Sequence, residues 1–310
     1  MSKDAASLAR RAALASVAAA ILLAGAKIWA VAATGSISML GSLADTGLDL
    51  LASLITLFAV RVAAEPADQE HRFGHGKAEA VAALIQTVLI VISGLYIALQ
   101  GLLRLLEGGG VADPEYGVVV SVFALMVTAA LVLYQRSVIA RTESIAIQTD
   151  SLHYQSDLLL NLAVISALLI EGLSRFTGAD AVFGLGIAAW LLWNAYRAGR
   201  RAVDMLMDRE WPELKRQQLL NLVSQLPDVD GVHDLRTRRA GHQDFVQFHI
   251  WVDPELSVAS AHDIAERAEI AVRERFPAAE VLIHVDPRGH LDDLPVKEDH
   301  FCPIEPGSGT

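Results

Sequence analysis

The stretch TDSLHYQSDLLLN, residues 149–161, sets a histidine and a carboxylate inside an apolar run. His153 and Asp157 stand four residues apart, about one helical turn, so a helix carries both on one face. The run LGSLADTGLDLLASLITLF, residues 40–58, repeats the arrangement with Asp45 and Asp49. Charged groups at such positions cost several kcal/mol in hydrocarbon and mark functional sites by default.

The surroundings are apolar enough for that hydrocarbon to be lipid. Of 310 residues, 53% are hydrophobic and 20% charged, with a mean hydropathy of +0.39, too apolar for a soluble chain of this length. Six runs are long enough to cross ~30 Å of bilayer: 12–33, 37–60, 78–103, 116–135, 145–170 and 181–198. The first could be read as a cleaved signal peptide, because Lys3, Arg10 and Arg11 precede it and small residues end it. Its apolar core is long for that role, and five further spans follow.

Basic residues set the expected orientation. Lys3, Arg10 and Arg11, then Arg61, Arg72 and Lys77, then Arg136 and Arg141, then Arg197, Arg200 and Arg201 mark alternate connections. The connections between them hold only Arg104 and Arg175. Both termini are therefore expected in the cytoplasm.

Charge divides the chain. Residues 204–310 hold 21 acidic and 11 basic side chains, whereas the first 203 hold 15 and 14. An acidic final third argues against nucleic-acid binding. The single cysteine, Cys302, allows no intrachain disulfide and no cysteine-based zinc site. In this part PELKRQQLLNLVSQLP and SVASAHDIAERAEIAVRERFP read as helices, and VHDLRTRR, DFVQFHIWV and EVLIHVD as strands. The order αββαβ predicts a small α+β domain with helices on one face of the sheet. The expected division is a six-helix transmembrane domain over 1–208, a cytoplasmic α+β domain over 209–288 and a disordered tail over 289–310.

Three clusters of ligand-type residues follow from spacing. Counted at ~1.5 Å per residue from their nearest loops, the pairs Asp45/Asp49 and His153/Asp157 both reach the middle of the bilayer. If their helices are neighbours, three carboxylates and one imidazole converge, the ligand number and type of a tetrahedral divalent-cation site. Without a cation, three carboxylates in low dielectric cannot all stay ionised, so metal and protons compete for the site. Asn161, Gln86, Gln100 and Ser156 read instead as hydrogen-bonding glue between helices. In the loop EPADQEHRFGHGKAEA, Asp68, His71 and His75 could share one metal, with Gly74 and Gly76 letting the chain turn. In the terminal domain, strand alternation puts His249, His284 and Asp286 on the face away from the core, where His233 and His262 could join them.

With GSISMLGSLADTGLDLLAS, PADQEHRFGHGKAEA, TDSLHYQSDLLLN, VHDLRTRRAG and LIHVDP assembled, the chain resembles the cation diffusion facilitators, most closely their bacterial ferrous-iron and zinc efflux branch. The resemblance runs to about Pro287. It implies a transport site of Asp45, Asp49, His153 and Asp157, and a second site of Asp68, His71 and His75 at the membrane boundary. It further implies a binuclear site of His233, His249, His262, His284 and Asp286 in a metallochaperone-like domain that holds a homodimer, and a salt bridge between Lys77 and Asp208. The implied activity is export of Zn²⁺ or Fe²⁺, with Cd²⁺ admitted by the hard ligand set, from the cytoplasm of a bacterium across its inner membrane in exchange for protons. Two departures are visible: Trp251 stands where the family has a non-aromatic residue, and the tail beyond Arg288 has no counterpart.

Two other readings compete. An intramembrane zinc hydrolase is disfavoured because the chain has no HExxH and four protein ligands leave no open position for water. A membrane metal sensor or scaffold would bind without transporting, which the complete Asp45/Asp49/His153/Asp157 set argues against.

Overall fold

A computed structural model describes residues 3–34, 37–107, 117–174, 179–290 and 302–303. The chain divides into two compact units, Met1–Asp204 and Met205–Thr310.

The first unit is built from long helices. They are α1 (Lys3–Thr34), α2 (Ile37–Ala63), α3 (Ala78–Glu107), α4 (Gly117–Thr142), α5 (Ile145–Ser174) and α6 (Ala179–Leu206). Their packing inverts the pattern of a water-soluble protein. The helix contacts are made by small residues such as Ala12, Ala13, Ala20, Ala80, Ala83, Ala146, Ala195 and Ala202, all at 0% exposure. Large apolar side chains face outward instead, among them Trp29, Phe58, Leu106 and Leu133. Small residues let backbones approach closely where lipid, not water, covers the outside. Glycine does the same between α3 and α6. A Cβ on Gly94 would sit 3.0 Å from Leu192, and one on Gly101 3.1 Å from Leu185.

Among the described residues, four stretches are long and apolar enough to cross a membrane: Asp4–Ala30, Thr46–Ala63, Ala78–Leu103 and Val122–Thr142. The two remaining runs expected from the sequence coincide with α5 and α6, which carry His153 and Asp157, and Arg197, Arg200 and Arg201, respectively. α1 packs against α2 and α4, and α5 against α2, α3 and α4, so the two polar helices of the sequence are neighbours.

The second unit runs α7 (Glu213–Ser224), β1 (Gly231–Ala240), β2 (Gln243–Val252), α8 (Val258–Arg275), β3 (Ala279–Pro287) and β4 (Cys302–Pro303). The sheet order is β3-β2-β1-β4. β1 and β2 form an antiparallel hairpin closed by two residues, Gly241 and His242, with Gly241 at φ +61 as tight hairpins favour. β3 returns through α8 to pair parallel with β2. Ser257 caps α8 by accepting from the Ser260 N–H at 3.1 Å.

One sheet face meets both helices. Val246, Phe248, Ile250 and Val252 pack with Leu219 and Val223 of α7 and Ile264 and Val272 of α8. Alternation then forces His249 onto the opposite face. Within the stretch expected to be disordered, Cys302 and Pro303 pair antiparallel with Val232 and Gly231. Proline is tolerated there because β4 is an edge strand. The remainder of that expectation, 291–301 and 304–310, lies outside the described residues.

Candidate metal centres

The α2–α5 contact brings the first cluster together. His153 Nε2 lies 2.7 Å from Asp49 Oδ1, and Asp157 contributes an oxygen such that the three ligand atoms lie within 4.8 Å of one another. All three residues are half-buried. Ser156 Oγ and Asn161 Nδ2 donate to the backbone carbonyls of His153 and Asp157 at 2.6 and 2.8 Å. Both bonds lie within α5, and among the described residues neither side chain bridges two helices. Asp45 lies one turn before Asp49 on α2; its side chain is outside the described residues.

The loop cluster is a local fold. Asp68 Oδ1 accepts from the backbone N–H groups of Glu70 and His71 at 2.8 and 2.6 Å, an Asx-type turn. The chain reverses at Gly74, φ +75. This sets His71 Nδ1 3.1 Å from His75 Nε2 and His75 Nε2 3.4 Å from Asp68 Oδ2. The His71 N–H bond chiefly holds the Asp68 carboxyl below its ordinary value, outweighing its desolvation. His75 Nδ1 is buried without a hydrogen-bond partner.

The third cluster is a row across the sheet. His233 pairs in register with His249, and His249 with His284, so three imidazoles from three strands stand side by side. Ring centroids are 5.1 and 4.7 Å apart. Asp286, two residues beyond His284, faces all three. Its Oδ2 lies 2.9 Å from His249 Nδ1 and 3.2 Å from His233 Nε2, and its Oδ1 lies 3.1 Å from His284 Nε2. The His233 contact is close but out of hydrogen-bonding alignment, leaving both nitrogens of this buried ring unsatisfied. Burial and the neighbouring His249 hold the His233 imidazole below its ordinary value, against the pull of Asp286. A neutral ring with unused nitrogens beside a carboxylate suits a transition-metal ion. His262 is exposed on α8 and, among the described residues, makes no hydrogen bond or ion pair to this row.

The transmembrane domain of the cation efflux family matches residues 13–207, and the cytoplasmic domain of cation efflux proteins matches residues 211–288. The chain belongs to the cation efflux family. Cation-efflux pump FieF of Cronobacter sakazakii is 45% identical over 289 residues, 93% of this chain and 95% of its own. FieF of Yersinia pestis is 45% identical over 278 residues, covering 90% and 92%. A solved chain of CzrB is 32% identical across 26% of this chain and 99% of its own, with a TM-score of 0.25 that has no bearing on the fold. This FieF-like cation diffusion facilitator is thus an integral membrane protein of a transporter family, not of an enzyme family.

Several residues at or near these centres were missed by the sequence reasoning. Asp234 sits at a break in the β1–β2 register with φ 45, and its Oδ2 lies 3.8 Å from His249 Nε2. Lys27 of α1 donates to Thr46 of α2, between Asp45 and Asp49. Asp150, one turn before His153, is wholly buried among polar side chains. Asp150 could have been found, because residues 150, 153 and 157 form a single helical stripe. The partners of Lys27 and Asp234 come from other elements, which spacing does not reveal.

Proposed function

We propose that this protein exports divalent cations, Zn²⁺ or Fe²⁺ with Cd²⁺ also admitted, from the bacterial cytoplasm across the inner membrane in exchange for protons. It would do so as a homodimer, by alternating access, with six spans in residues 1–208 and both termini cytoplasmic. The observation that carries the reading is the Asp49–His153–Asp157 cluster, assembled from two apolar helices. A dication there is substrate, held by Asp45, Asp49, His153 and Asp157. On its release the closely spaced carboxylates and imidazole favour proton uptake, because low dielectric penalises uncompensated negative charge.

Asp68, His71 and His75 would bind a second ion beside the membrane. In residues 209–288, His233, His249, His284 and Asp286, with His262 recruited from α8, would hold resident metal. Such metal would cross-link three strands and stabilise the dimer. The orphaned nitrogens of His233 support that fit. The pairing of Lys77 with Asp208 belongs to the same reading. A charge reversal at either position, restored by reversing both, would test it.

The deciding experiment loads purified protein into liposomes with a pH-sensitive dye inside and adds Zn²⁺ outside. Metal-dependent proton movement, matched by metal accumulation, is expected. Metal binding without either would favour the sensor or scaffold reading.

A further inference from the structure

Asp150 lies in α5 at 0% exposure, one turn from His153, and is not among the ligand-type groups that cluster at Asp49, His153 and Asp157. Its Oδ2 accepts from Ser16 Oγ of α1 and from Gln135 Nε2 of α4, each at 2.7 Å. Its Oδ1 accepts from Thr56 Oγ1 of α2 at 3.2 Å. Gln86 of α3 donates to Thr56 Oγ1 and, at 3.1 Å, to the Ala52 carbonyl. One carboxylate thus joins a hydrogen-bond network drawn from α1 to α5. Ser16, Thr56, Gln86 and Gln135 are all buried.

The network has two consistent proton arrangements. With Asp150 ionised, the Thr56 hydroxyl donates to Oδ1. That hydroxyl is equally 3.2 Å from the Ala52 carbonyl. If a proton from solvent binds Oδ1, the new O–H donates to Thr56 Oγ1 and the Thr56 hydrogen turns to Ala52. Ser16 and Gln135 keep their bonds to Oδ2. One rotor turns and no donor is stranded, so the change of protonation costs no hydrogen bond.

We propose that Asp150 is a proton-binding site of the helix bundle, separate from the metal ligands. The titratable groups facing it are His153 and Tyr154 on its own helix. Among the described residues, the groups of α1, α2 and α4 that hydrogen-bond to it are the uncharged Ser16, Thr56 and Gln135, with Gln86 of α3 behind Thr56. A proton on Asp150 weakens the negative field on His153 and so favours neutral, metal-binding imidazole. That link to transport rests on the proton-exchange reading; the site itself does not.

The test is infrared difference spectroscopy of the full-length protein in lipid across a pH series, without metal. A protonated-carboxyl stretch that shifts in D₂O is expected, and Asp150→Asn removes that component. Ser16→Ala, which deletes one donor to the ionised form, moves the midpoint of that component upward by about one pH unit. A spectrum unchanged by Asp150→Asn, or a midpoint unmoved in Ser16→Ala, overturns the proposal. Zn²⁺/H⁺ exchange measured on the same samples separates the two ideas. If exchange is absent but the band follows Asp150, the exchange reading fails and the proton site stands. If exchange proceeds while the band ignores Asp150, the proton site falls.

Discussion

His153 Nε2 stands 2.7 Å from Asp49 Oδ1, although 104 residues of chain separate them. The contact exists because α5 packs beside α2 and because both helices turn their small set of polar groups toward each other. In the proposed function, a divalent cation would enter this pairing by replacing a proton.

Asp49→Asn and Asp157→Asn keep side-chain volume and remove one negative charge each. Each is expected to lower Zn²⁺ affinity and uptake by at least ~100-fold, since the dication loses an anionic ligand. Calorimetry on the purified protein and uptake into liposomes check this. Undiminished uptake in either variant would remove the shared-site assignment.

In the terminal unit, Asp286→Asn should matter more than His284→Ala. Asp286 touches His233, His249 and His284, whereas His284 is largely exposed and touches the row at its edge. Zn²⁺-induced thermal stabilisation should vanish in Asp286→Asn and fall only in part in His284→Ala. Equal losses would contradict a bridging role for Asp286.

The buried His233 imposes a pH dependence on the metal-free protein. Its folded value is lowered by burial, so below the ordinary histidine range the unfolded chain binds a proton that the folded chain refuses. Stability is therefore retained above that range and lost as the pH falls below it. Denaturant midpoints measured across this window should drop on acidification and flatten in His233→Gln.

Gly231 lies under the Trp251 ring, where an added Cβ would come within 2.8 Å of Cε3. The ring cannot move freely, because its Nε1 donates to the His290 carbonyl at 2.9 Å and its face lies against His233. Gly231→Ala should cost about 1–3 kcal/mol by overpacking, and Trp251→Leu should relieve most of that cost in the double variant. A chemical-denaturation cycle of the four proteins measures the coupling. Additive effects would mean that the ring gives way.

The sequence by itself determined the apolar character of the first two-thirds, the αββαβ order and the ligand residue types. Those rest on local rules: length and hydropathy for spans, period two for strands, four-residue spacing for a helical face. Alternation alone put His249, His284 and Asp286 on the face away from the core. Only the tertiary structure decided which groups meet. Strand register set His233, His249 and His284 in one row, and neither the break at Asp234 nor the β4 pairing of Cys302 with Val232 has a local signal. Helix neighbours decided that Asp150, which lies in TDSLHYQSDLLLN itself, is buried against Ser16, Thr56 and Gln135. Spacing fixes the face on which a side chain stands, whereas its partners depend on contacts between elements far apart in the chain.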